Sequence, residues 1–306
     1  MFRSIACLVI LFSVISLRST AQPGATDSVK KTSSIIADGA TIQLVSNKFS
    51  FTEGPAVDKK GNVFFTDQPN DKIYKWNATT GEVTVFLEGT GRSNGMMFDK
   101  KGNLITCADE NNQVWSISPK GKVKVLLKDI GGLHLNGPND LWIDKKGGIY
   151  ITDPYFQRSY WTRKAPEIKE QKVYYIPKNK APVAVIDNLM QPNGIIGTPD
   201  GKYLYIADMR GNKTYKYTIA TDGSLTDQTL YISRGSDGMT IDNKGNIYIT
   251  GRGITVFNPE GQQIEYIDIP GDRTTNLTFG GKDRDILFIT ATRSVYTLKM
   301  KVKGNQ

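Results

Sequence analysis

The chain has 306 residues, 39% of them hydrophobic and 23% charged, with two cysteines, one histidine and a formal charge of +9. That apolar fraction with mixed charge excludes a disordered chain, and two cysteines exclude a disulfide-dense scaffold. The lone histidine, His134, excludes zinc sites built on two or three imidazoles and leaves a catalytic serine one candidate partner.

Residues 1–21 read as a secretory signal peptide. Arg3 supplies the positive start, residues 5–17 form an apolar run interrupted only by Ser13 and Ser16, and Ser19-Thr20-Ala21 offers small residues for cleavage. The run is too short for a membrane span, and no later one approaches the roughly 20 apolar residues a span needs. The expected product is exported, periplasmic or secreted, with no membrane partner and Cys107 as its one thiol. Residues 22–40 read as a linker, 41–302 as the folded body and 303–306 as a tail. Losing Arg3 and Arg18 leaves 37 basic against 30 acidic residues. The pairs Lys59-Lys60, Lys100-Lys101 and Lys145-Lys146 each precede a turn glycine. They read as solvated hairpin tips spread over separate turns rather than one patch, so nucleic acid is not an expected partner.

An internal repeat decides the architecture. Asp58-Lys59-Lys60-Gly61-Asn62-Val63-Phe64-Phe65-Thr66-Asp67 returns from Asp99, Asp144, Pro199 and Asp242, and in degraded form from Lys282. The turn glycines 61, 102, 147, 201 and 245 are 41, 45, 54 and 44 residues apart. Each copy joins an apolar stretch through Asp-x-x-Gly to a strand rich in Val, Ile, Tyr and Phe, and no long helical period is present. Four short strands in about 40 to 50 residues is the size of a propeller blade. The expected fold is therefore all-β, a six-bladed β-propeller with four-stranded blades. Residues 41–45 are expected to pair with residues 294–302 and close the ring.

A second pattern is locked to the first. Eight residues before each turn glycine stands an oxygen-bearing side chain, in order Glu53, Asn94, Asn139, Asn193 and Asp237, with Asn276 in the degraded sixth copy. Rotational symmetry puts equivalent positions at one radius and height, so these side chains should converge on the mouth of the central channel. Two carboxylates and four carboxamides make an all-oxygen axial site suited to one divalent cation, Ca²⁺ first, with Mg²⁺, Mn²⁺ or Zn²⁺ as alternatives. Turn chemistry accounts for the Asn-Gly pairs, but not for Glu53 in the same register.

Phe51-Thr52-Glu53-Gly54-Pro55, Leu135-Asn136-Gly137-Pro138-Asn139-Asp140, Pro192-Asn193-Gly194, Ser236-Asp237-Gly238 and Thr275-Asn276-Leu277-Thr278-Phe279-Gly280-Gly281 together resemble the gluconolactonase and regucalcin (SMP-30) family, in its bacterial gluconolactonase branch. The likeness runs from about residue 45 to residue 300. It implies a metal-dependent hydrolase that opens a sugar lactone with metal-activated water; the partner expected is that small molecule, with the chain a monomer or weak dimer. It also implies Glu53, Asn139, Asn193 and Asp237 as metal ligands, with Asn139 facing the substrate as well. Regucalcin-type members carry an arginine near this third-blade asparagine where this chain has Leu135-Asn136-Gly137-Pro138. Cys107-Ala108-Asp109-Glu110 stands where the branch often has Cys-Glu-His. Related propellers use such a site on other leaving groups, so another ester or phosphoester, or non-catalytic ligand binding, stays open.

Asp237, with Asn139 beside it, is the candidate for catalysis, either handling the proton of water or serving only as a ligand. Substrate contacts are expected from Asn139, Asn94, His134 on the approach to the mouth, and Tyr155. Tyr155 opens an aromatic and charged excursion to residue 171, read either as a wall beside the substrate or as a surface loop. Cys107, in an apolar strand, is expected to be buried and inert.

Overall fold

Each Asp-x-x-Gly segment folds as the same hydrogen-bonded turn. Asp58 Oδ1 accepts from the backbone N–H groups of Lys60 (2.8 Å) and Asn62 (2.9 Å), and Gly61 supplies φ of +89°. Asp99, Asp144 and Asp242 repeat the arrangement. The acidic side chain thus satisfies turn donors that would otherwise be lost, and the glycine relieves the backbone. In the computed structural model, which describes Met1 and residues 32–271 and 273–305, every such turn joins the first two strands of a sheet. The expected signal peptide lies outside the described residues.

The described residues hold 24 strands in six four-stranded antiparallel sheets and no α-helix. Blade 1 runs Thr52–Val57, Val63–Asp67, Lys72–Trp76, Val83–Glu88 from the axis outward. Blades 2 to 5 follow the same order. In blade 6 the three strands Asn276–Gly280, Ile286–Ala291 and Ser294–Lys299 are completed by Gln43–Ser46, which pairs antiparallel with the last of them. The six-bladed propeller and its closure by an N-terminal strand are therefore as expected.

The folded unit begins at Ser33. Ile35 is fully buried against blade 6, Lys301 N–H donates to Ile35 O at 2.7 Å, and Gly304 N–H donates to Arg284 O at 2.8 Å. Packing therefore extends beyond residues 41–302 at both ends, because short apolar residues there find partners that local sequence does not announce.

The core lies between the sheets. Phe65, Tyr150, Tyr217, Tyr248, Phe279 and Phe288 are all fully enclosed, each contributing on the order of 1.5–3 kcal/mol by burial. Two aromatic hydroxyls are spent on turn carboxylates, Tyr175 on Asp144 (2.7 Å) and Tyr248 on Asp242 (2.9 Å). The turns share one end of the molecule. Lys59 Nζ donates to Lys100 O at 2.9 Å, and Lys100 Nζ donates in turn to Lys145 O. The lysine pairs therefore gather on one face rather than standing apart, because blade rotation collects what sequence spacing separates.

Candidate functional site

The opposite end of the six inner strands forms the mouth. Glu53, Asn94, Asn139, Asn193 and Asn276 are buried there, and the Asp237 side chain is 16% exposed. Local irregularity aims these groups. The strand ladder slips between Glu53 and Ala56, between Ser93 and Met96, and between Pro192 and Ile195. In blades 3 and 5 the ladder starts only at Leu141 and Met239, leaving Asn139 and Asp237 just ahead of it. Such bulges turn a side chain out of the sheet's alternation.

Neighbouring inner strands approach closely. Gly54 has φ of +48°, and a Cβ there would lie 1.9 Å from Asn94 O. Gly95 N–H reaches Asn139 O at 2.7 Å, and Gly238 N–H reaches Thr275 O at 2.7 Å. The residue after the ring position is glycine in blades 1, 2, 4 and 5, whereas blade 3 has Asp140.

Asn193 Nδ2 donates to Asp237 Oδ1 (2.9 Å), and Arg273 Nη2 lies 3.7 Å from Asp237 Oδ2. Glu53 Oε2 accepts from Gly54 N–H (2.7 Å) and Asn276 Nδ2 (3.0 Å). Among the described residues, no hydrogen bond engages the side chains of Asn94 or Asn139. Burial first, and then the negative charge of Asp237, hold the Glu53 carboxyl well above its ordinary range. Burial also raises Asp237, against the pull of Arg273, the Asn193 hydrogen bond and Arg158. Asp140 is pushed by burial to about 7, opposed by Leu141 N–H and Asn276 and reinforced by Asp237.

The mouth thus concentrates carboxylates that disfavour one another's charge. Among the described residues no three acidic, histidine or cysteine side chains form a ligand group, so any cation here must draw on carboxamide oxygens. The donor chemistry fits a hard ion on that condition: Glu53 and Asp237 supply charge, Asn139 has an unspent carboxamide, and Asn193 spends its NH₂ on Asp237 while its oxygen is free.

His134 and Tyr155 are placed differently. His134 is exposed, with Nδ1 2.7 Å from Glu167 Oε1, and Tyr155 OH donates to Gln157 Oε1 at 2.6 Å. Among the described residues no hydrogen bond, ion pair or aromatic contact joins either side chain to a residue of the axial ring. Cys107 is a buried free thiol, pushed up in pKa by that burial.

Residues 154–171 pack onto blade 2 through Asp109. Its Oδ2 accepts from Arg158 Nε (2.8 Å), Gln68 Nε2 (3.2 Å) and Tyr160 OH, while Trp161 Nε1 donates to its carbonyl (3.1 Å). Arg92 stacks over Tyr160 at 4.6 Å and pairs with Glu110. None of Asp140, Asp109, Arg158 and Arg273 was expected as a site residue from the sequence. Asp140 carried a signal as the one acidic residue where four blades have glycine, and Asp109 lay in the segment that departs from the branch's Cys-Glu-His.

The profile of the SMP-30/Gluconolactonase/LRE-like region matches residues 51–293. A gluconolactonase of Zymomonas mobilis is 28% identical over 294 residues, covering 86% of this chain and 82% of that protein. Lactonase drp35 of Staphylococcus epidermidis is 28% identical over 244 residues, covering 74% and 72%. The solved gluconolactonase from Xanthomonas campestris superposes with a TM-score of 0.81 at 26% identity, covering 87% of this chain and 91% of its own. A calcium-binding regucalcin from Agrobacterium tumefaciens shares the fold, with a TM-score of 0.74 at 19% identity over 87% and 95% of the two chains. With the profile spanning most of its length, the chain belongs to the SMP-30/gluconolactonase/LRE-like family.

Proposed function

We propose that the protein hydrolyses a sugar lactone at the axial mouth, with one divalent cation, calcium first, held by Glu53, Asn139, Asn193 and Asp237. The observation that carries this reading is that Glu53, buried, and Asp237, 16% exposed, occupy equivalent places on one mouth, where the charge of Asp237 disfavours that of Glu53 and a cation would relieve it, in a chain whose relatives include lactonases. When bound, the cation supplies a Lewis acid for the lactone carbonyl. Asp237, with Asn193 on one oxygen and Arg273 near the other, accepts the proton of the attacking water. Asn94 and Asn139, with unspent carboxamides, hydrogen-bond the lactone oxygens. The aromatic loop anchored on Asp109 brings Trp161 against Gly137, two residues before Asn139, and limits bulk water on that side of the mouth. Export through the expected signal peptide belongs to the same reading.

The test is proton release from D-glucono-1,5-lactone above the buffer rate, measured with calcium, with chelator, and after calcium is restored. The expected result is activity lost to the chelator and recovered with the ion. A rate equal to buffer under all three conditions, on this lactone and on neutral and acidic aldonolactones alike, would sink the lactonase reading.

A further inference from the structure

A lactone is a neutral functional group, yet a guanidinium group stands beside Asp237. Arg273 approaches it at 3.7 Å with a side chain that is 52% exposed. Nearby, Arg92 pairs with Glu110 and stacks on Tyr160, while Arg163 donates to Asn136 O and stacks on Trp161 at 4.1 Å, with its Nε and Nη1 buried and without a hydrogen-bond partner among the described residues. Arg158 uses Nε on Asp109, which leaves its two terminal nitrogens unassigned among the described residues. Arg273 has the ring carboxylate as its charged partner among the described residues.

With Asp237 committed to a divalent ion, Arg273 has no other carboxylate as an ion-pair partner among the described residues, and it stands at the open mouth. A planar guanidinium fork matches a carboxylate or phosphate in shape as well as in charge. We propose that the substrate is an anionic lactone, carrying a carboxylate or phosphate away from its ring carbonyl, and that Arg273 receives that group as a specificity residue. The inference rests on the lactonase reading, which it narrows from sugar lactones in general to acidic ones.

The matched pair D-glucono-1,4-lactone and D-glucaro-1,4-lactone, which differ in carrying CH₂OH or a carboxylate at the terminal carbon, tests this on the whole metal-loaded protein. The expected kcat/KM is about tenfold or more higher for the carboxylate lactone, the size of one charge-assisted contact. That advantage should shrink as salt is raised to about 0.5 M. Arg273→Gln should cut kcat/KM for the carboxylate lactone about tenfold more than for the neutral one, chiefly through KM, and Arg273→Lys should recover part of the difference. Equal rates on the two lactones, or equal losses on both in Arg273→Gln, would overturn anion recognition and assign Arg273 to charge formed in the reaction itself. A phosphorylated aldonolactone in the same assay separates a phosphate preference from a carboxylate one. If no lactone is hydrolysed, the lactonase reading fails, and calorimetric titration of the same pair decides the inference. Tighter binding of the carboxylate lactone, lost in Arg273→Gln, upholds it, and equal binding overturns it.

Discussion

Glu53 and Asp237 share one mouth, where burial disfavours the charge of both and the charge of Asp237 further disfavours that of Glu53. A ligand that binds only the folded state stabilises it by mass action, roughly 2.7 kcal/mol at about 100 times its Kd. Glu53→Gln and Asp237→Asn are therefore expected to lose most of the calcium-dependent rise in Tm, while Asn94→Ala keeps it. Scanning calorimetry with calcium and with chelator reads this directly, and a wild-type Tm indifferent to both would remove the cation. Gly54 tests the close approach that builds the mouth. Its φ of +48° and the 1.9 Å spacing from Asn94 O leave no room for a methyl group, so Gly54→Ala should cost about 1–3 kcal/mol or more in urea unfolding. Most of this ring was legible because one side chain recurs at a fixed offset from a turn glycine. Asp140 was not, because strand alternation directs a neighbour of Asn139 away from it, and only the irregular start of blade 3 keeps both at the axis.

The hairpins and the loop over blade 2 differ in what holds them. A hairpin turn is closed by an aspartate two and four residues from its donors, so its signature lies within one short segment. The loop at residues 154–171 is closed by Asp109, 49 residues before Arg158 and 52 before Trp161. No local pattern announces such a partner, which is why the loop's length was readable and its anchor was not. Asp109→Ala removes the acceptor of Arg158, Tyr160 and Gln68 together. Trypsin should then cut at Arg158, Arg163 or Lys164 several-fold faster than in the wild type, with KM for the lactone raised. Unchanged cleavage would mean that the aromatic stacking alone secures the loop.

Across the whole molecule, blade packing hides Cys107 completely, and burial pushes its thiol up in pKa, with Asp140, Asp153 and Asp109 adding to the shift. A thiol reagent such as dithiobis(nitrobenzoate) should therefore label it only through global opening, at a rate that rises with urea in step with unfolding. Fast labelling of the native protein would instead indicate that blade 2 opens by itself. The ring was readable from six copies of one motif, and its closure from an unpaired strand at the start of the body. That closure has a consequence in time. Thr52 Oγ1 bonds to Thr292 O across 240 residues, and Gln43–Ser46 finds its ladder only on Ser294–Lys299. Contacts so distant along the chain are slow to form, because the connecting loop must be closed before they repay its entropy. During synthesis the strand made first has no native neighbour until the final hairpin emerges, and its open edge must be kept from pairing with other chains in the interval. A chain halted before Ser294 has no complete ring to reach, whatever the quality of the five blades already made.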